Sequence, residues 1–111
     1  MKAEKHRYIA FEIISKTEKI PEDQLLNTIW YQLYTLYGEH GTSKMGLWLM
    51  EYDPESKKGI LRCSLKELDK LRSVLATITS FEKKKEPEVI VYILGISGTI
   101  KSIKERFLSE N

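Results

Sequence analysis

The chain has 111 residues, of which 41% are hydrophobic and 31% charged, and these proportions suit one compact domain spanning residues 1–111. Six tyrosines, three phenylalanines and two tryptophans are too many aromatics for a disordered tail. No apolar run approaches the ~20 residues of a bilayer crossing, so no membrane role is expected. The lone cysteine, Cys63, excludes an internal disulfide and a multi-cysteine zinc site. The opening run, Met-Lys-Ala-Glu-Lys-His-Arg, lacks the apolar core of a signal peptide, and the expected location is the reducing cytoplasm.

The elements follow from periodicity. Residues 7–15 alternate as a strand, with Ile9, Phe11 and Ile13 on one side and Tyr8, Ala10 and Glu12 on the other. Pro21 suits the first position of a helix whose dipole favours Glu22 and Asp23. From Leu25 to Tyr37 the apolar residues recur at helical spacing, and Gly38 and Gly41 are expected to close the helix. Residues 44–52 predict a second strand, with Leu47 and Leu49 opposite Trp48, Met50 and Tyr52. Asp53-Pro54-Glu55-Ser56 is turn chemistry, so this strand and a short third one over 57–63 form a hairpin. Ser64-Leu65-Lys66-Glu67 has the form of a capping box and should open a second helix running to about Phe81. After a lysine-rich loop around 83–85, residues 88–94 read as a fourth strand, apolar on both faces. Ser97-Gly98-Thr99 is a turn, and Ile100, Ile103 and Phe107 stripe a final short helix.

The order β-α-β-β-α-β-α predicts an α+β, ferredoxin-like fold: an antiparallel four-stranded sheet of order 4-1-3-2 with a C-terminal helix added. The first two helices belong on one face of the sheet. The other face is also rich in large apolar groups, which either the last helix or a protein partner must cover. Trp48, Met50, Tyr52 and Tyr92 are therefore expected at a protein interface.

Catalytic material is sparse. His6, His40 and Cys63 lie in no nucleophile or metal-binding motif, and a free cysteine in a strand usually acts as a small core hydrophobe. Glu51, Asp53 and Glu55 lack the length and glycine of a calcium loop. Charge carries more information. Residues 1–19 have a net charge of +2, residues 20–56 of −5, and residues 57–111 of +5. A protein meeting both a polyanion and a less basic partner could show this segregation, as could ordinary solvated helix faces.

The predicted sheet is also that of the RNA-recognition motif, in which aromatics on the first and third strands stack on bases. The third strand here opens with Lys58-Gly59 but carries no aromatic, which disfavours base stacking and leaves backbone contact open. Three basic groups could supply that contact: Lys5, His6 and Arg7; Lys57, Lys58 and Arg62; and Lys101 and Lys104. The last two follow Ser97, Gly98 and Thr99, whose hydroxyls and backbone donors suit either a phosphate cradle or a plain helix cap.

Arg7-Tyr8-Ile9-Ala10-Phe11-Glu12, Gly59-Ile60-Leu61-Arg62-Cys63 and above all Leu94-Gly95-Ile96-Ser97-Gly98-Thr99-Ile100-Lys101 carry a resemblance over nearly the whole chain. In these residues it resembles archaeal ribonuclease P protein component two, the Pop-type subunit shared with eukaryotic ribonuclease P and MRP. That resemblance implies a non-catalytic subunit of the ribonucleoprotein that removes 5′ leaders from precursor tRNA. The implied partners are the ribonuclease P RNA, a TIM-barrel-like protein subunit and, indirectly, precursor tRNA, with a homodimer contact left open. No cofactor is expected on the protein, because magnesium belongs to the catalytic RNA. Lys5, Arg7, Lys57, Lys58, Arg62, Lys101 and Lys104 would then contact phosphates, with Ser97, Gly98 and Thr99 positioning donors. The competing expectation is a ferredoxin-like protein-interaction or regulatory module that binds no RNA.

Overall fold

A computed structural model describes residues 5–16, 19–78 and 89–108, with the side chains of residues 107 and 108 outside that set. The lysine loop at 83–85, the expected helix end at Phe81 and the Phe107 side chain therefore lie outside the described residues. The strands are β1 (His6–Ser15), β2 (Trp48–Asp53), β3 (Lys58–Ser64) and β4 (Val89–Ser97). The helices are α1 (Glu22–Ser43), α2 (Leu68–Thr77) and α3 (Ile100–Ile103), the last continuing into a wider π-turn over Lys104–Leu108. All strand pairs are antiparallel and the order is β2-β3-β1-β4, as the periodicity predicts.

The alternation of β1 divides the sheet. Ile9, Phe11 and Ile13 join Leu61 and Cys63 of β3 and Val89 and Val91 of β4 beneath the helices. Leu25, Ile29 and Leu33 of α1 and Leu71, Val74 and Leu75 of α2 close this core. Each large side chain so buried contributes roughly 1.5–3 kcal/mol. On the opposite face Ala10, Ile60 and Ile103 form a smaller core, flanked by Tyr8, Met50, Leu94 and Ile100. The last helix thus folds back over part of the second face.

Two β-bulges change which residues share a face. In β2 the pairing slips between Leu49 and Glu51, so that Leu49 faces Leu61, Glu51 faces Ile60 and Tyr52 faces Gly59. The extra residue reverses the alternation. Tyr52 is consequently on the helix side, stacked on Phe11 with ring centroids 6.1 Å apart, and its hydroxyl donates to the Ile20 carbonyl at 2.8 Å. This corrects its expected place beside Trp48 and Met50. A second slip in the β1–β4 pairing, between Ala10 and Phe11, similarly turns Ile96 toward the main core.

Local chemistry explains the other departures. Gly38 adopts a left-handed conformation (φ +70°) that kinks α1, and the chain re-enters helix as far as Ser43 instead of stopping there. Ser64 makes no side-chain cap: it ends β3 with its N–H on the Met45 carbonyl at 2.9 Å. Glu67 pairs forward with Lys70 at 3.1 Å, so a 3-10 turn (Leu65–Glu67) precedes α2 where a capping box was expected. Gly59 is required by packing, since a Cβ there would lie 2.6 Å from the Glu51 carbonyl oxygen and 2.9 Å from Phe11.

Candidate nucleic-acid interface

Because β1 runs antiparallel to both neighbours, its start meets the ends of β3 and β4. Tyr8 pairs with Arg62 on one side and Ser97 on the other, and Arg62 in turn faces Trp48. The row Trp48, Arg62, Tyr8, Ser97 therefore crosses all four strands at one end of the sheet, on the face that α3 partly covers. Leu65 N–H bonds the Lys5 carbonyl at 2.9 Å, which fixes the entry to β1 beside the end of β3. An open cleft of about 450 Å³ adjoins this end, lined by Ser43, Lys44, Gly46, Ser64, Lys66 and Glu67.

Arg7 belongs to the same end. Its Nη1 donates to the His6 carbonyl at 2.8 Å and lies where a Cβ on Gly98 would be 3.5 Å away, so the guanidinium sits against the Ser97-Gly98-Thr99 turn. Within that turn the Ser97 hydroxyl accepts from Thr99 N–H at 3.3 Å, and the Thr99 hydroxyl accepts from Ser102 N–H at 3.2 Å. The Thr99 oxygen thus caps α3 and the Ser97 oxygen closes the turn, while each hydroxyl can still donate its own proton outward. Lys101 is exposed on α3. Lys104 pairs with Glu51 of β2, which ties the end of α3 across the sheet.

Lys57 and Lys58 are not part of this cluster. Lys58 faces Glu12 and Asp53 at the hairpin end, four residues or about 13 Å along β3 from Arg62. Lys57 adopts a left-handed conformation (φ 61°), and its ammonium donates to Ser15 at 3.1 Å (hydroxyl) and 3.3 Å (carbonyl). The Asp53 carboxylate beside it accepts from Glu55 N–H at 3.0 Å, and hydrogen bonds from Glu55 and Ser56 hold its pKa below the usual value. The hairpin end is therefore a mixed-charge turn.

The interface residues also separate. Met50 is half-buried against the small core under α3. Tyr92 remains exposed at 54%, near Ile14 (52%) and Ile90 (61%), whose strands pair directly. Trp48 is exposed on the opposite edge strand. The Arg62 guanidinium carbon lies 6.0 Å from the Trp48 ring centroid, an arrangement that sequence inspection misses. Counting back from the Asp53–Lys58 pair would set Leu49 opposite Arg62, and only the bulge brings Trp48 there. Cys63 is fully buried, and burial, reinforced by Glu67, pushes its thiol up to about 11, so it is protonated at neutral pH. Among the described residues no cluster of three or more His, Cys, Asp or Glu could hold a metal ion, and no helix is long and apolar enough to cross a membrane.

A model of the Rpp14/Pop5 family matches residues 7–108. The chain belongs to this family. A protein named ribonuclease P protein component 2 from Pyrococcus abyssi is 42% identical over 107 residues, covering 96% of this chain and 87% of that protein. The similarly named protein from Methanocaldococcus jannaschii is 41% identical, over 95% of this chain and 74% of that one. A chain in a cryo-EM structure of yeast ribonuclease MRP superposes with a TM-score of 0.73, covering 100% of this chain and 83% of that chain. At 17% identity this is a likeness of fold. The Rpp14/Pop5 match includes Arg7, Trp48, Arg62 and the Ser97-Gly98-Thr99 turn, so the whole four-strand row lies inside the family region.

Proposed function

We propose that this Rpp14/Pop5 chain is a protein subunit of ribonuclease P that has no catalytic groups of its own and stabilises the catalytic RNA. The observation that carries the reading is the placement of Arg7, in register with the helix side, Arg62, in register with the other side, and the Gly98 turn at one end of the sheet, in a chain whose relatives bear the name ribonuclease P protein component 2. Cations fixed on a rigid sheet lower the repulsion between packed RNA helices, and hydrolysis, with its magnesium, stays with the RNA. Lys5, Arg7, Arg62 and Lys101 are the proposed phosphate contacts, with Ser97, Gly98 and Thr99 holding the turn. Lys104 contributes less because Glu51 offsets it, and Lys57 and Lys58 less again because Ser15, Glu12 and Asp53 face them.

A protein partner, expected to be the TIM-barrel-like subunit, would cover Ile14, Ile90 and Tyr92. This patch includes the β4 edge of the sheet and is away from the proposed RNA end. Precursor tRNA is then met through the RNA, in a cytoplasmic ribonucleoprotein.

Affinity purification of the full chain under mild salt tests the proposal. Recovery of one structured RNA together with precursor-tRNA cleavage is expected; recovery of proteins without RNA would overturn it in favour of an interaction module. Direct binding gives a sharper check. Lys101→Glu with Arg7→Glu should weaken RNA binding and lower the steepness of its salt dependence by roughly 0.7–0.9 for each phosphate that is no longer neutralised. The same reversal at Lys57 and Lys58 should have the smaller effect.

A further inference from the structure

Trp48 presents a large apolar ring to solvent, 60% exposed, on the sheet face where Tyr8 and Met50 flank the small core. The exposed group of Ile14, Ile90 and Tyr92 belongs to β1 and β4, and β2 is the opposite edge of the sheet, three strand spacings or roughly 14 Å from β4. Beside Trp48 instead lie Arg62, directly across the ladder, and the Glu51–Lys104 pair. Arg62 is held close by: its guanidinium is over the indole, and its Nε is buried with no hydrogen-bond partner among the described residues. Glu51, on the same strand as Trp48, is neutralised by Lys104.

We propose that Trp48 stacks an unpaired RNA base, with Arg62 beside it for the adjoining phosphate. The inference rests on the RNA-binding reading above and adds to it a site and a ligand class: a single-stranded nucleotide rather than a helix backbone. A protein hot spot centred on tryptophan needs a surrounding ring of contacts that exclude water. A base needs one accessible aromatic face and a cation for its phosphate. The second description fits Trp48. The absence of an aromatic on β3 argues against stacking only while the first and third strands are considered. The bulge in β2 supplies the ring from the edge strand, in the same cross-strand row as Arg62 and Tyr8. Base stacking of this kind is sequence-tolerant, so the site would select unpaired segments and not a particular base.

The test uses the full chain and a transcript of the ribonuclease P RNA from the same genome. In a Trp30→Phe background Trp48 is the sole indole, and its emission should be quenched at saturating RNA. In the native background Trp48→Leu should weaken binding by about five- to 150-fold with an unchanged salt slope, and Trp48→Phe should recover most of the loss. Arg62→Gln should lower the salt slope by about one. Unquenched emission together with unchanged affinity in Trp48→Leu would overturn the stack while leaving RNA binding intact. No RNA binding by the unaltered chain would overturn both readings. Emission that responds only to an added protein subunit would overturn the stack in favour of protein docking at this edge.

Discussion

Beneath α1 and α2 the sheet buries Ile9, Phe11, Ile13, Leu61 and Cys63 almost completely, against six large apolar side chains from the two helices. The other face buries Ala10, Ile60 and Ile103 and leaves Trp48, Ile14, Ile90 and Tyr92 more than half exposed. The contrast assigns different work to the two sides. A face of interlocking large side chains resists change and sets global stability, whereas a face with a smaller core and apolar margins leaves surface for binding. The helical segment from Ile100 to Leu108 buries only part of this face among the described residues, and what stays exposed separates into an apolar margin on one edge and an aromatic–cation pair on the other.

Substitution in the large core should have the greatest effect. Phe11 is fully buried, touches the space above Gly59 and stacks on Tyr52. Phe11→Ala is expected to cost about 3–5 kcal/mol, a large share of the ~5–15 kcal/mol that holds a domain together. Urea denaturation followed by far-ultraviolet circular dichroism would measure it. A loss below about 1 kcal/mol would mean that the helix-covered face is not the principal core.

Ile103→Ala probes the second face. Ile103 is also fully buried, but it packs on a small group. The expected cost is about 2 kcal/mol, the lower end for such truncations. Its distribution matters more than its size. Hydrogen exchange should accelerate at the amides of α3 while those of β1 stay protected, because the helix can detach without opening the main core. Equal acceleration in both would show that the two faces unfold as one unit.

Most of the first face is legible in the sequence, because a period of 2 in β1 and of 3.6 in α1 and α2 suffices to name its residues. The acids Glu22 and Asp23 likewise mark the first turn of α1, although Pro21 sits one place earlier than expected, as the extended residue before the helix. The second face is less legible, for a definite reason. Each bulge adds one residue to a strand, and every side chain beyond it changes sides. Tyr52 and the pairing of Trp48 with Arg62 both depend on the slip at Leu49 and Glu51, which no alternation pattern announces. Ser64 shows a second limit. Its sequence context fits a helix cap, but its N–H is taken by Met45 across a contact that only the folded chain creates. For the candidate site, the Ser97-Gly98-Thr99 turn and Arg7 are recognisable separately, and their approach depends on β1 lying between β3 and β4.

Tyr52 offers the finest test of the comparison, because the bulge moves it from one face to the other. Its hydroxyl donates to the Ile20 carbonyl at 2.8 Å. Removing that bond in Tyr52→Phe should cost about 0.5–1.5 kcal/mol at neutral pH. Burial, with the negative charges of Asp53 and Glu22, pushes the phenol up from 10.0 to about 12. In the unfolded chain the phenol has the ordinary value near 10. Below pH 10 both states keep the proton, and the contribution of Tyr52 is fully present. Between pH 10 and about 12 the unfolded chain releases the proton while the folded chain retains it, so stability falls as pH rises. Tyr52→Phe has no proton to release there. The advantage of the unaltered chain over Tyr52→Phe should therefore shrink between pH 9 and pH 11 in paired urea titrations, the other tyrosines and the lysines being common to both. A phenol on the open face, free to ionise in water, would leave that advantage independent of pH.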